Sequence, residues 1–332
     1  MLKRALRNIL KVTIPFCGGG AILWWVYRDF DFSEAFSANT HIGWHWILLS
    51  LVFEILSHVL RGIRWRQTLR PLGATPGIHN CVMAIFLSYA SNFIIPRLGE
   101  VLRCSVLTRY EGVPFSKSLG TVVTERMVDA LILGGSIIAI LFLQNDIFTR
   151  FFVQTDTDLS ALSTQLLSFR FLAIAAGMVA LLALAIYLLY RLSFFHKVKA
   201  MLQNVKEGIY SLRHVRNFPL FVFWSLAIWG CYFLQFYLAF FAFTGIESLS
   251  LTAALACFAA GSVGVIVPTP NGAGSWHFAV IAMMMLYGIA ESQAALFALV
   301  VHGTQTFMLL LLGVYALIGF ALIKRRTNGL KA

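Results

Sequence analysis

Six stretches of the chain stay apolar for about the 20 residues that a helix needs to cross a bilayer: 12–28, 44–60, 119–143, 169–190, 217–244 and 293–323. Two further apolar regions, 80–110 and 250–290, are split in the middle by Pro and Gly. Proline removes a backbone donor and ends a helix, so each split region predicts two short helices rather than one span. The first stretch follows the basic start LKRALRNILK and has the outline of a signal peptide. Trp24, Trp25 and Tyr27 at its far end form an interfacial belt, which predicts an uncleaved anchor instead.

Basic residues then set the orientation, because cytoplasmic loops gather Lys and Arg. With the N-terminus inside, Arg61, Arg64, Arg66 and Arg70 fall on the cytoplasmic side, together with the loop 191–216 and the basic run at 324–326. The outer segments hold mostly acids: Asp29, Asp31, Glu34, Asp146, Asp156, Asp158 and Glu247. This partition holds if 80–110 enters and leaves from the cytoplasm and 250–290 from the outside. The expected fold class is therefore an all-α polytopic membrane protein with about six spanning helices and two oppositely oriented re-entrant, broken-helix hairpins. The order span, span, hairpin, span occurs twice and is inverted the second time. That predicts repeats at about 1–147 and 165–332 of one transmembrane domain, with no soluble domain. The expected location is the cell (inner or plasma) membrane, multi-pass, with both termini cytoplasmic.

Composition removes the soluble alternatives. Of 332 residues, 59% are hydrophobic and 12% charged, against about 25% charged in an ordinary soluble domain. The net charge of +12 is segregated by topology rather than gathered on one soluble face, so nucleic acid is not an expected partner. Cys17, Cys81, Cys104, Cys231 and Cys257 have no C-x-x-C spacing and read as small apolar packers. No metal and no cofactor are expected.

Candidate chemistry collects where charge enters the apolar pattern. The stretch SNFIIPRLGEVLR, 91–103, places Asn92, Arg97, Glu100 and Arg103 around Pro96 and Gly99. Backbone freed by the proline is tolerated at membrane depth only inside protein or beside a wet cavity, and charges there need partners or water. Glu100 and Arg103 share a helix face. They read as an internal ion pair, as charges reaching the interface, or as the wall of a polar cavity for a charged ligand group. In TERMVD, Glu125 and Asp129 share a face beside Arg126, and Asp129 is too short to reach the interface. Its expected partner is Arg97 or Arg103. In VPTPNGAGSWH, Pro268, Pro270, Gly272 and Gly274 mark a second break, with Asn271 and His277 as candidate binding residues. A tight turn with a satisfied histidine is the plainer reading of that segment.

Lesser candidates follow. Glu54 is expected to bond Ser50 or Ser57 or to face the cavity, and His302 and Gln305 are weak candidates for its lining. Arg61, Arg64 and Trp65 are expected among headgroups, where basic residues attract anionic lipid. His41 and His45 flank Trp44 and Trp46 and read as part of the interfacial belt. Gly134, Gly135 and Gly18–Gly20 are expected at close helix contacts.

In chain order the motifs are N-x-x-x-P-R-x-G-E-x-x-R (Asn92, Pro96, Arg97, Gly99, Glu100, Arg103), E-R-x-x-D (Glu125, Arg126, Asp129) and P-x-P-x-G-x-G (Pro268, Pro270, Gly272, Gly274). This order resembles the flippase-like transmembrane region of lysylphosphatidylglycerol synthases, over nearly the whole chain. In that family the third motif continues to an acidic residue, and His277 stands in its place here. The resemblance implies lipid translocation rather than aminoacyl transfer, since no segment of this sequence matches the size of the aminoacyl-transferring domain.

The expected function is thus a lipid flippase or transporter for a charged-headgroup phospholipid or a lipid-linked substrate, acting passively or with ion coupling. The expected partners are those lipids and, for assembly, a second copy or a lipid-modifying enzyme. The alternatives are a non-catalytic scaffold, in which the charges are structural, and an intramembrane enzyme on a lipid or lipid-linked sugar. No H-E-x-x-H or G-x-S-x-G signature supports an enzyme.

Overall fold

Where an apolar run is unbroken the chain forms one long helix, and where Pro and Gly interrupt it there are two short ones. The computed structural model describes residues 2–32, 41–96, 98–144, 210 and 215–329. Arg97, the 169–190 stretch, most of the loop 191–216 and the start of the second expected repeat lie outside the described residues. The helices are α1 (Leu2–Tyr27), α2 (Trp44–Leu69), α3 (Ile78–Ser91), α4 (Leu98–Glu111), α5 (Phe115–Leu143), α6 (Phe218–Phe240), α7 (Leu251–Gly264), α8 (Ser275–Leu286) and α9 (Glu291–Gly329). Among the described residues no strand forms beyond an isolated bridge between Ile42 and Phe243.

Four of these helices are long and apolar enough to cross a membrane: α2, α5, α6 and the Glu291–Ile323 part of α9. α1 is continuous but is not among the four; its first turns carry Lys3, Arg4, Arg7 and Lys11. Leu131, Ile138 and Phe142 of α5 and Leu311, Val314 and Ile318 of α9 point outward. Apolar faces of this extent belong in lipid rather than water. The protein is a multi-pass membrane protein.

α3, α4 and α7 have 14 residues each and α8 has 12. At 1.5 Å per residue they reach about 18–21 Å, short of a hydrocarbon core of about 30 Å. Each packs against its sequence neighbour, α3 on α4 and α7 on α8. The first break is tied by Asn92, whose Oδ1 accepts the Gly99 amide at 2.9 Å and so caps the start of α4. A Cβ at Gly99 would overlap the Ser88 carbonyl, so only glycine lets α4 fold back against α3. In the second break Asn271, Gly272 and Gly274 adopt positive φ (51°, 77° and 85°), which glycine permits freely and asparagine tolerates. The two breaks touch, the Asn271 amide donating to the Asn92 carbonyl at 3.4 Å.

α6 runs along α2, and α9 packs on α3 and α8. One core gathers Phe236, Phe240 and Phe297; a second gathers Trp65, Met83, Ile85 and Phe86; a smaller one joins Ile140 to Ala256 and Ala259. Four cysteines are buried in this packing and Cys17 is exposed, all of them free. Of the glycines expected at close contacts, only Gly19 makes one among the described residues. Nothing lies within 4 Å of a Cβ built at Gly18, Gly20, Gly134 or Gly135, whereas Gly19 abuts Pro270 and Gly62 abuts Val82. Close approach is thus set by which helix face meets a neighbour, and the sequence alone does not state that.

Gly99→Ala is expected to cost about 1–3 kcal/mol through overpacking, read as a lower melting temperature in detergent. Gly134→Ala, with open space around it, is expected to cost nothing. Equal stability of the two variants would contradict the close α3–α4 approach.

Candidate functional site

α2 carries Glu54, Ser57, His58, Arg61, Arg64, Trp65 and Thr68 at spacings of three and four, and all are buried. Residues at that spacing share one helix face. The expectation that Arg61, Arg64 and Trp65 lie among headgroups is therefore corrected. The span does not end near residue 60 but continues to Leu69, and Arg61 (2% exposed), Arg64 (0%) and Trp65 (0%) point into the protein. α5 faces them with Glu125 and Asp129. At 1.5 Å per residue Asp129 lies about 21 Å into this helix, close to its middle.

Asp129 holds two arginines of α2. Arg61 Nη1 donates to Oδ2 at 2.8 Å, and Arg64 Nη2 donates to Oδ1 at 3.1 Å. Arg64 also donates to Ser225 of α6 at 3.0 Å, and its Nε lies 3.6 Å from Glu125. Arg61 Nε reaches the Tyr232 hydroxyl at 3.3 Å, and that hydroxyl sits 3.2 Å from the hydroxyl of Tyr89. Arg103 brings α4 into the network. Its Nη1 is 2.9 Å from Glu125 Oε2, a close ion contact without hydrogen-bond alignment. Its guanidinium lies over Trp65 at 4.7 Å, and the Trp65 indole donates to Thr121 at 3.0 Å. At one edge Arg126 is 2.8 Å from Glu100 and 3.5 Å from Asp129. These two side chains, 40% and 35% exposed, are the open end of an otherwise closed cluster.

The pairing differs from expectation. Glu100 does not pair with Arg103 but with Arg126. Asp129 is held by Arg61, Arg64 and Arg126 rather than by Arg103, because α2 packs between the broken region and α6. Ser50 and Ser57 donate to the backbone carbonyls of Ile47 and Glu54. Among the described residues the Glu54 carboxylate and the His58 ring nitrogens have no hydrogen-bond partner. The sequence signal for Arg61 and Arg64 was available: the polar positions at 54, 57, 58, 61, 64 and 68 continue one helical face past the end of the apolar run.

The second break is a separate group. His277 is buried and its Nδ1 accepts the Gly274 amide at 3.3 Å, which closes the turn at the start of α8. Its ring centroid lies 4.6 Å from that of His302, and His302 Nε2 donates to the Asn271 carbonyl at 3.1 Å. The Asn271 side chain donates to Thr306 at 3.1 Å. His277 thus does not join the charge cluster; the two breaks meet at Asn92 and Asn271, and α7 packs on α5 through Ala256, Ala259 and Ile140. His41 and His45 are exposed near Trp44. Among the described residues no group of three His, Cys, Asp or Glu is placed to hold a metal ion.

A sequence profile of the family described as "Lysylphosphatidylglycerol synthase TM region" matches residues 8–313. The UPF0104 membrane protein MJ1595 of Methanocaldococcus jannaschii is 24% identical over 303 residues, covering 85% of this chain and 86% of that protein. Glycosyltransferase AglD of Haloferax volcanii is 31% identical over 90 residues, covering 27% of this chain and 14% of that protein. No solved structure matches the chain.

Removing one partner of a buried ion pair costs about 3–5 kcal/mol, while an exposed pair is worth about 0–1 kcal/mol. Asp129→Ala is therefore expected to destabilise the protein far more than Glu100→Ala, measured as unfolding midpoints in detergent. Similar losses from both would place the centre of the network elsewhere.

Proposed function

The chain belongs to the lysylphosphatidylglycerol synthase transmembrane-region family, and from that premise we propose that it translocates a phospholipid or lipid-linked substrate with a phosphate-bearing headgroup. One observation carries this reading. The paired cluster contains four arginines, Arg61, Arg64, Arg103 and Arg126, against the three carboxylates Glu100, Glu125 and Asp129. Among the described residues one positive charge is in excess within these pairs, and their only part-exposed members are Arg126 and Glu100. A phosphate entering at that edge supplies the missing negative charge, and arginine forks suit phosphate oxygens.

The finer architecture belongs to the same proposal. The helix pairs α3–α4 and α7–α8 are read as re-entrant hairpins entering from opposite sides, within inverted repeats at about 1–147 and 165–332. Both termini are read as cytoplasmic in a cell membrane. The short helices and the Asn92–Asn271 contact between their breaks support this reading. Arg97 lies in the motif between Pro96 and Gly99 and is proposed as a further contact of the headgroup. The partial likeness to a protein named as a glycosyltransferase supports including lipid-linked sugars among the substrates assayed.

A second reading rests on the pairing itself. Arg61, Arg64 and Arg103 all have buried acidic partners, which also suits a scaffold in which the charges only fix the helices.

Headgroup accessibility in proteoliposomes separates the two, using fluorescent phospholipids of several headgroups, a labelled lipid-linked sugar and an impermeant quencher. Transport predicts a fast loss of inner-leaflet signal with wild type. It also predicts a rate about tenfold or more lower for Arg126→Gln, since a hydrogen bond to a charged group is worth about 1.5–3 kcal/mol. Rates equal to those of empty vesicles for every headgroup contradict transport.

A further inference from the structure

A second basic feature lies one turn beyond the buried network, at the end of α2 that runs on from Arg64. There α2 presents Ile63, Arg66 and Gln67, with Arg70 just past its last residue, facing Asn217, Leu220 and Trp224 at the α6 start. Between the two helices is a cavity of about 700 Å³, within the size range of small-molecule sites. Arg66, Arg70 and Arg216 line it, and among the described residues no acidic side chain does. Arg66 is anchored by its Nε, which donates to the Pro76 carbonyl at 2.8 Å. Arg70 and Arg216 are exposed and make no ion pair among the described residues.

The remaining polar groups hold the cavity open in one shape. Gln67 Nε2 donates to the Asn217 carbonyl at 2.7 Å, tying α2 to α6. Asn217 Oδ1 accepts the Leu220 amide at 3.1 Å, capping the N-terminus of α6. The positive end of a 23-residue helix therefore adds to three guanidinium charges. Leu220 and Trp224 supply an apolar wall beside them, the combination that a headgroup with glycerol and the first acyl carbons requires.

We propose that this cavity binds a net-negative phosphate group, carried either by an anionic phospholipid or by free phosphate. The site uses none of the paired residues of the buried cluster and does not depend on the transport reading.

Trp224 provides the reporter. The full chain is reconstituted in vesicles of phosphatidylcholine containing brominated phosphatidylglycerol or brominated phosphatidylcholine, and the Trp224 signal is taken as wild type minus Trp224→Phe. The anionic lipid is expected to quench Trp224 at about a tenfold lower mole fraction than the zwitterionic one. High salt should reduce that preference, and Arg70→Gln/Arg216→Gln should abolish it without moving the melting temperature. If the source is free phosphate, millimolar inorganic phosphate alters Trp224 emission in wild type but not in the double variant, and the two lipids quench alike. Equal quenching by both lipids together with no response to phosphate overturns the proposal, as does a preference that survives in the double variant. Headgroup translocation measured on the same double variant shows whether that activity stands apart from this site.

Discussion

Asp129 accepts hydrogen bonds from two guanidinium groups at once, Arg61 at 2.8 Å and Arg64 at 3.1 Å, near the middle of a membrane-spanning helix. Charge in hydrocarbon is costly unless it is paired or hydrated, so this contact constrains everything that surrounds it. It fixes the rotation of α2, whose buried polar face has to meet α5. It draws in α6, because Arg64 needs Ser225 as well and Arg61 needs Tyr232. It also leaves Glu125 free to hold Arg103 and thereby the second half of the first broken region.

The breaks serve that arrangement. An uninterrupted helix through 80–110 would carry Glu100 and Arg103 far from α5; the turn at Asn92–Gly99 returns the chain so that both reach its carboxylate and guanidinium partners. The second break meets the first through the Asn271 amide and is braced by His302 and Thr306 of α9. Tight internal pairing and one exposed edge, at Arg126 and Glu100, sit together in the same cluster. A buried ion network in itself adds little net stability. Under the transport proposal, a ligand that uses the charge accounts for its presence at membrane depth.

Much of this was legible in the sequence. Pro96 and Gly99, and Pro268 through Gly274, lie where the helices break, and Glu100, Arg103, Glu125, Arg126 and Asp129 converge from separate segments. The partners of Asp129 were not legible from the apolar runs. Reading the second span as ending at residue 60 left Arg61 and Arg64 at the interface, although a helix of 26 residues from Trp44 keeps its polar face buried to Thr68. Pairwise choices such as Arg103 with Glu125 depend on which helix lies between two others, which periodicity along one chain does not encode. His277 illustrates the converse: a polar residue at a break that looks chemical in sequence is occupied in capping a helix.

The central claim is that the open edge of the cluster receives a negative group, and its most direct measurement is the sign of a charge effect. Glu100→Gln removes a negative charge from the part-exposed pair while leaving Arg126 in place. In the proteoliposome assay the account predicts that this variant moves anionic headgroups faster relative to zwitterionic ones than wild type does. A variant that leaves the ratio unchanged, or shifts it toward zwitterionic headgroups, would contradict the claim.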